Sequence, residues 1–157
     1  VGWELRRTLA PLGQLIAASL DGTWSPQVDL TDPRSMSELV RESALDVVVN
    51  AAAYTAVDKA EGEGDLTRRI NAEAPGTLGD LLHGRGVPII HYSTDFVFSG
   101  NTERPYREDD EPGPSSVYGE TKRSGEQALM ATGADAVILR TSWVYGVRGS
   151  NFLLTIA

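Results

Sequence analysis

The sequence predicts an α/β fold, a doubly wound parallel sheet with helices on both faces, and three observations carry that prediction. Short β-branched runs without polar alternation recur along the chain, as in strands covered on both faces. Segments with apolar residues three and four positions apart separate them. The two kinds alternate, and strand–helix–strand alternation implies right-handed crossovers between parallel neighbours.

The elements follow in order. A helical pattern runs from Trp3 to Leu12, entered through Gly2. QLIAAS, Gln14 to Ser19, reads as a weak strand. Asp32 stands where an N-cap is needed for a helix from Pro33 to Glu42. DVVVNAA, Asp46 to Ala52, is the strongest strand signal, too short and too valine-rich for a buried helix. Ala60 to Leu82 then carries helical spacing, and VPIIHYSTDFVF, Val87 to Phe98, is the next strand. The one long loop, Asn101 to Ser115, is charged and rich in Pro and Gly, and a loop of that length is more often functional than idle. Ser116 to Met130 is the last complete helix, and Ala136 to Tyr145 the last strand.

Bulk properties narrow the function. A chain of 157 residues with 41% hydrophobic and 23% charged composition is a single globular domain with a sizeable core. No apolar run approaches the ~20 residues of a membrane span, so no membrane partner is expected. Twenty-two Asp+Glu against 14 Lys+Arg give a formal charge of -8, with no basic cluster, which argues against nucleic acid. Without cysteine there is no disulfide, thiolate zinc site or Cys nucleophile, and the composition suits a reducing, cytoplasmic setting. His83 and His91 lie well apart, so no metal site is expected. Val1 is not an initiator methionine, and FLLTIA ends within an apolar, helix-like pattern, so the chain is expected to be a piece of a longer protein.

In an open α/β sheet, ligands bind beyond the carboxyl ends of the strands. The polar residues there are Asn50 with Ala51 to Thr55, then Ser93, Thr94 and Asp95, then Thr141, Ser142 and Trp143. The alanines at 51 to 53 would let a flat ligand lie against the backbone, or would serve tight strand-to-helix packing. In VYGETK, Tyr118 and Lys122 are four residues apart, so a helix returns them to one face after a rise of about 6 Å. A phenol has a pKa near 10 and is a poor acid or base at neutral pH, unless a neighbouring ammonium stabilises its phenolate. Lys122 is placed to do that, and the hydroxyl of Thr94 to polarise a carbonyl oxygen. DLTD, Asp29 to Asp32, reads either as a turn with an N-cap or as an adenine pocket, with Asp29 accepting from an amino group and Leu30 lining the base.

VNAAAYTAVDKAE (Val49 to Glu61), HYSTDFVFSG (His91 to Gly100), SSVYGETKRSGE (Ser115 to Glu126) and RTSWVYG (Arg140 to Gly146) together resemble the extended short-chain dehydrogenase/reductases. Within them the chain is most similar to the dTDP-4-dehydrorhamnose reductase family. The resemblance covers almost the whole chain. It implies a Rossmann-like NAD(P)-binding domain over residues 1–157, lacking the first strand and most of the C-terminal substrate domain. It implies NADPH or NADH as cofactor, a dTDP-4-keto-6-deoxyhexose as substrate and a homodimer as the assembly. By the same resemblance Tyr118 is the general acid at the C4 oxygen, Lys122 lowers the tyrosine pKa and binds the nicotinamide ribose, and Thr94 hydrogen-bonds the reacting oxygen. Val1 and Gly2 would be a remnant of the pyrophosphate loop. Asp29, Leu30, Ala53, Tyr54, Thr55 and Tyr92 would line the cofactor, and Thr94, Asp95 and Trp143 would face the sugar. Ala18, Ser19 and Asp21 share the position where an acidic residue would favour NAD, so the choice between NAD and NADP stays open. Two further readings share these motifs: a reductase of another dTDP-4-keto sugar, and a non-catalytic subunit like the regulatory subunit of methionine adenosyltransferase.

Overall fold

The computed structural model describes residues 1–148 together with Leu154 and Ile156. Three parallel strands, β1 (Val48–Asn50), β2 (Ile89–Thr94) and β3 (Ala136–Thr141), form a sheet in the order β1-β2-β3. The register sets Asn50 beside His91 and Thr94 beside Thr141, so the polar strand ends share one edge. β2 is central and the most buried of the three, as a near-continuous apolar run requires.

The helices are α1 (Gly2–Leu9), α2 (Pro33–Glu42), α3 (Val57–Ala60), α4 (Gly64–Arg68), α5 (Ala74–His83) and α6 (Val117–Ala131). α2 begins where expected because the Asp32 carboxylate accepts the Arg34 N–H at 3.0 Å. α6 begins at Val117 for two reasons. Ser116 Oγ accepts the Gly119 N–H at 3.2 Å, and Glu61 Oε1 accepts the Val117 N–H at 2.9 Å, so two of the helix's free donors are satisfied.

α2, α5 and α6 supply Met36, Val40, Ala74, Leu78, Leu82 and Leu129 to one core with Val28, Val87 and Ile89. Ala136 and Ile138 of β3 face that core, while the alternate residues Val137 and Leu139 stay 52% and 39% exposed. The helical layer with buried residues therefore covers one face of the sheet. α1 buries none of its residues; it lies beside Trp24, with the Arg6 guanidinium 4.7 Å from the indole centroid.

Four expectations are corrected. QLIAAS does not form a strand: Ser19 makes one isolated bridge to Gln27, and Leu15 and Ile16 are 41% and 40% exposed, for want of a partner along their length. The helix expected over 60–82 is three helices. A break at 61–63, beside Gly62 and Gly64, separates α3 from α4, and a π-helical turn, Arg69–Glu73, joins α4 to α5. The strand expected over Val87 to Phe98 stops at Thr94, whose side chain caps a 3₁₀ turn, Asp95–Val97. The strands expected over Asp46 to Ala52 and Ala136 to Tyr145 are likewise shorter, since only Val48–Asn50 and Ala136–Thr141 find partners. The long loop, by contrast, is held in place. Arg104 pairs with Asp110 through two bonds at 2.8 and 2.6 Å, and the Tyr106 ring stacks on Phe98 with centroids 4.2 Å apart.

α6 approaches its neighbours through glycines. A Cβ at Gly125 would run into the Asn71 carbonyl oxygen, and one at Gly119 into the Phe96 carbonyl oxygen. Backbone cannot yield as a flexible side chain does. Gly125→Ala is therefore expected to destabilise the protein that carries this chain by about 1–3 kcal/mol, the usual range for overpacking, or more. Urea unfolding checks it, and an unchanged midpoint would contradict the close approach.

Candidate functional site

The site lies at the carboxyl end of β2, where α6 crosses it. The cap at Ser116 puts Tyr118 in the first turn of α6 and Lys122 one turn later on the same side. Thr94 ends β2, and its hydroxyl has three neighbours. It donates to Asp95 Oδ1 at 3.2 Å, accepts the Phe96 N–H at 3.2 Å, and is hydrogen-bonded to the Tyr118 phenol. The Phe96 ring packs edge-on against Tyr118 with centroids 5.6 Å apart. Thr94, Asp95 and Tyr118 are thus brought together.

Burial pushes the Tyr118 phenol above its ordinary range, the Thr94 bond opposes that, and the Asp95 charge adds to the rise. This reverses the expectation that Lys122 lowers it. The reason is geometric: Lys122 Nζ donates to the Tyr92 carbonyl at 2.7 Å and lies 3.4 Å from His91 Nε2, so its charge is directed into the strand. Lys122 is 2% exposed, and burial depresses its ammonium to about 8 against the opposing pull of Glu126. The result is a phenol that keeps its proton at neutral pH, beside a lysine that titrates close to it.

Beyond β1 the loop is pinned. Asn71, buried in the π-helical turn, accepts the Tyr54 N–H at 2.9 Å and donates to the Tyr54 carbonyl at 3.0 Å. Asn50 Oδ1 accepts the Ala52 N–H at 3.2 Å. These bonds hold Ala51 to Thr55 as an open backbone shelf with Ala53 half-buried and Thr55 exposed. The Tyr54 phenol donates to Glu63 at 2.7 Å, so its polar end faces α4.

The remaining candidates are scattered. Asp29 accepts the Thr31 N–H at 2.7 Å and the Thr31 hydroxyl at 2.8 Å, and the Thr31 backbone bond foremost holds its carboxyl below the usual range. The turn-and-cap reading of DLTD is thus the one on view, with Leu30 against the edge of the core. Val1 and Gly2 open α1, whose first turn has no side-chain cap. Trp143, just past β3, takes a left-handed backbone with φ +50 and is 72% exposed. Among the described residues, no group of three or more His, Asp or Glu side chains could hold a metal ion.

Three residues absent from the sequence candidates support the site. They are Asn71, His91 and Glu126, which is 1% exposed and accepts from Ser93 at 2.6 Å, Arg140 at 2.9 and 2.7 Å, and Arg123 at 2.9 Å. Burial raises the Glu126 carboxyl, and these donors outweigh it and hold the group below the ordinary range. The one signal available was a polar residue recurring at apolar helical spacing. Nothing in sequence distance marked their partners.

The residues fit a nicotinamide nucleotide by their chemistry. Lys122 keeps N–H donors beyond the one spent on Tyr92, the alanine shelf is small-chained, and the open first turn of α1 offers backbone N–H groups to a phosphate. Comparison with known proteins agrees. The RmlD substrate binding domain model matches residues 1–157. The dTDP-4-dehydrorhamnose reductase of Escherichia coli (strain K12) is 48% identical over 155 residues, 99% of this chain and 52% of its own length. A crystal structure of such a reductase from Clostridium acetobutylicum superposes with TM-score 0.90 at 36% identity, over 99% of this chain and 54% of that one. Another, from Bacillus anthracis in complex with NADP, gives TM-score 0.80 at 36% identity, over 82% and 46%. The chain spans about half the length of the relatives it matches.

His91 yields a test of the electrostatics. Burial first, then the Lys122 charge, depress its pKa from 6.5 to about 4. An unfolded chain therefore takes up this proton before the folded one as pH falls. Stability from neutral His91 is present in full above about pH 6.5 and is lost down to about pH 4, a span of about 3 kcal/mol. Urea unfolding should show wild type losing more stability than His91→Gln across that window. Parallel curves would contradict a buried neutral imidazole.

Proposed function

Since the chain belongs to the RmlD substrate binding domain family, we propose that the protein carrying it reduces the 4-keto group of dTDP-4-dehydro-L-rhamnose to dTDP-L-rhamnose with NADPH or NADH. The observation that carries this reading is the Thr94–Tyr118 hydroxyl pair at the end of β2, backed by Lys122.

Bound nicotinamide supplies the hydride to C4. Negative charge then develops on the C4 oxygen, and Tyr118 gives it a proton. A phenol raised by burial is protonated at neutral pH, as a donor must be. Thr94 orients the same oxygen through its hydroxyl, and Asp95, which holds that hydroxyl, fixes its direction. Lys122 keeps a positive charge behind Tyr118 and a donor for the ribose. Ala53, Tyr54, Thr55 and Tyr92 would lie along the cofactor. Val1 and Gly2 would stand at its phosphates, Asp29 and Leu30 at the adenine, and Asp95 and Trp143 on the sugar side. Residues 1–157 would form the NAD(P)-binding domain, with the rest of the sugar pocket in the remainder of the protein. We place the protein in the cytoplasm, as a homodimer.

Two variants test the assignment in the full-length protein. Tyr118→Phe should lower kcat by about 100-fold or more while NADPH binding stays in the wild-type range. Thr94→Val should lower kcat with cofactor binding kept. Equal turnover in Tyr118→Phe would sink the proton-donor role. A wild-type protein that binds NADPH yet never reduces the sugar would favour the regulatory reading.

A further inference from the structure

Lys122 is held by a chain of buried bonds that begins at a backbone amide. The Ala52 N–H donates to Asn50 Oδ1 at 3.2 Å, Asn50 Nδ2 lies 3.1 Å from His91 Nδ1, and His91 Nε2 lies 3.4 Å from Lys122 Nζ. Asn50, His91 and Lys122 are 6%, 1% and 2% exposed, so these groups settle their hydrogen bonds with one another.

A backbone N–H can only donate. The atom of Asn50 facing Ala52 is therefore the amide oxygen, and the atom facing His91 is the NH₂ group. His91 Nδ1 must then accept, and the proton of a neutral imidazole is left on Nε2. That N–H faces Lys122. An ammonium carries donors only, so two donors oppose each other across this contact, whereas an amine would accept from the ring. The bond to the Tyr92 carbonyl serves either form of the lysine, so Lys122 can exchange its proton without moving.

We propose that Ala52, Asn50 and His91 form a tautomer lock that turns an imidazole N–H toward Lys122, making His91 a positioning residue that sets how readily the lysine gives up its proton. The other charged groups around this pair are Glu126, held by Arg123 and Arg140, and Asp95 beyond Tyr118. Glu126 pulls both His91 and Lys122 toward their charged forms, so it opposes the lock. Burial and the lock together leave Lys122 at about 8. The value of such a lysine to proton return at Tyr118 rests on the reductase reading. The lock itself does not.

The test is spectroscopic and uses the full-length protein without turnover. Long-range ¹H–¹⁵N spectra distinguish the imidazole tautomers, with the His91 signal identified by its loss in His91→Gln. At neutral pH the ring should carry its proton on Nε2; a proton on Nδ1, or on both nitrogens, overturns the lock. Asn50→Asp replaces the donor with an acceptor of the same shape. It should move the ring proton to Nδ1 and raise the Lys122 titration, followed at ¹³Cε and identified with Lys122→Met, from about 8 toward the ordinary lysine range. A rise with the tautomer unchanged assigns the effect to the added charge and overturns the proposal, as does a tautomer change that leaves Lys122 unmoved. Should Asn50→Asp fail to fold, the wild-type tautomer still decides. Failure of Tyr118→Phe to lose turnover would count against the reductase reading alone.

Discussion

The contact of α6 with bare backbone is the constraint on which the site depends. Gly125 sits against the Asn71 carbonyl and Gly119 against the Phe96 carbonyl, closer than any side chain would allow. This proximity brings the first two turns of α6 over the end of β2, where Thr94 meets Tyr118 and Lys122 reaches the Tyr92 carbonyl. Asn71 turns its side chain the other way and holds Tyr54. One turn of backbone thus fixes both the helix that bears the reactive groups and the loop on the opposite side of the strand.

Charge is handled by the same small set of elements. Glu126 and Lys122 occupy successive turns of α6, and both are buried. The carboxylate is surrounded by Arg140, Arg123 and Ser93, which keeps it ionised, while the lysine faces a carbonyl and an imidazole and is partly discharged by burial. A buried charge is tolerated only where donors or acceptors replace its water. Among the described residues, no buried side-chain nitrogen or oxygen lacks a hydrogen-bond partner. The site is therefore polar inside yet fully bonded, as a pre-organised centre needs.

Much of this was legible in local sequence. Asp32 announced α2, the Val run at β1 announced a buried strand, and the spacing of Tyr118 and Lys122 put them on one helical face. Information confined to a segment could go no further. QLIAAS has strand composition, yet a strand exists only where a neighbour runs beside it. Apolar spacing from Ala60 to Leu82 reads as one helix because it does not register a single wide turn. The direction of the Tyr118 shift was unreadable, since it depends on where the Lys122 nitrogen points, and that is fixed by residues 30 and 31 positions away. Asn71 with Thr121, and Ser93 with Glu126, are pairs of the same distant kind.

The wide turn at Arg69–Glu73 has a consequence for how this region tolerates change. A π-helical turn holds about one residue more than an α-helical one, so it offsets the phase of everything after it. Thr67 before it, and Ala74, Leu78 and Leu82 after it, are all buried because of that offset. Deleting a single residue between 69 and 73 would rotate α5 by about 100° about its axis and carry its apolar stripe away from α2 and α6. Length variation of one residue, harmless in a surface loop such as 101–115, would here act as a change of handedness in the packing: the same side chains in the same order, presented to the wrong neighbours.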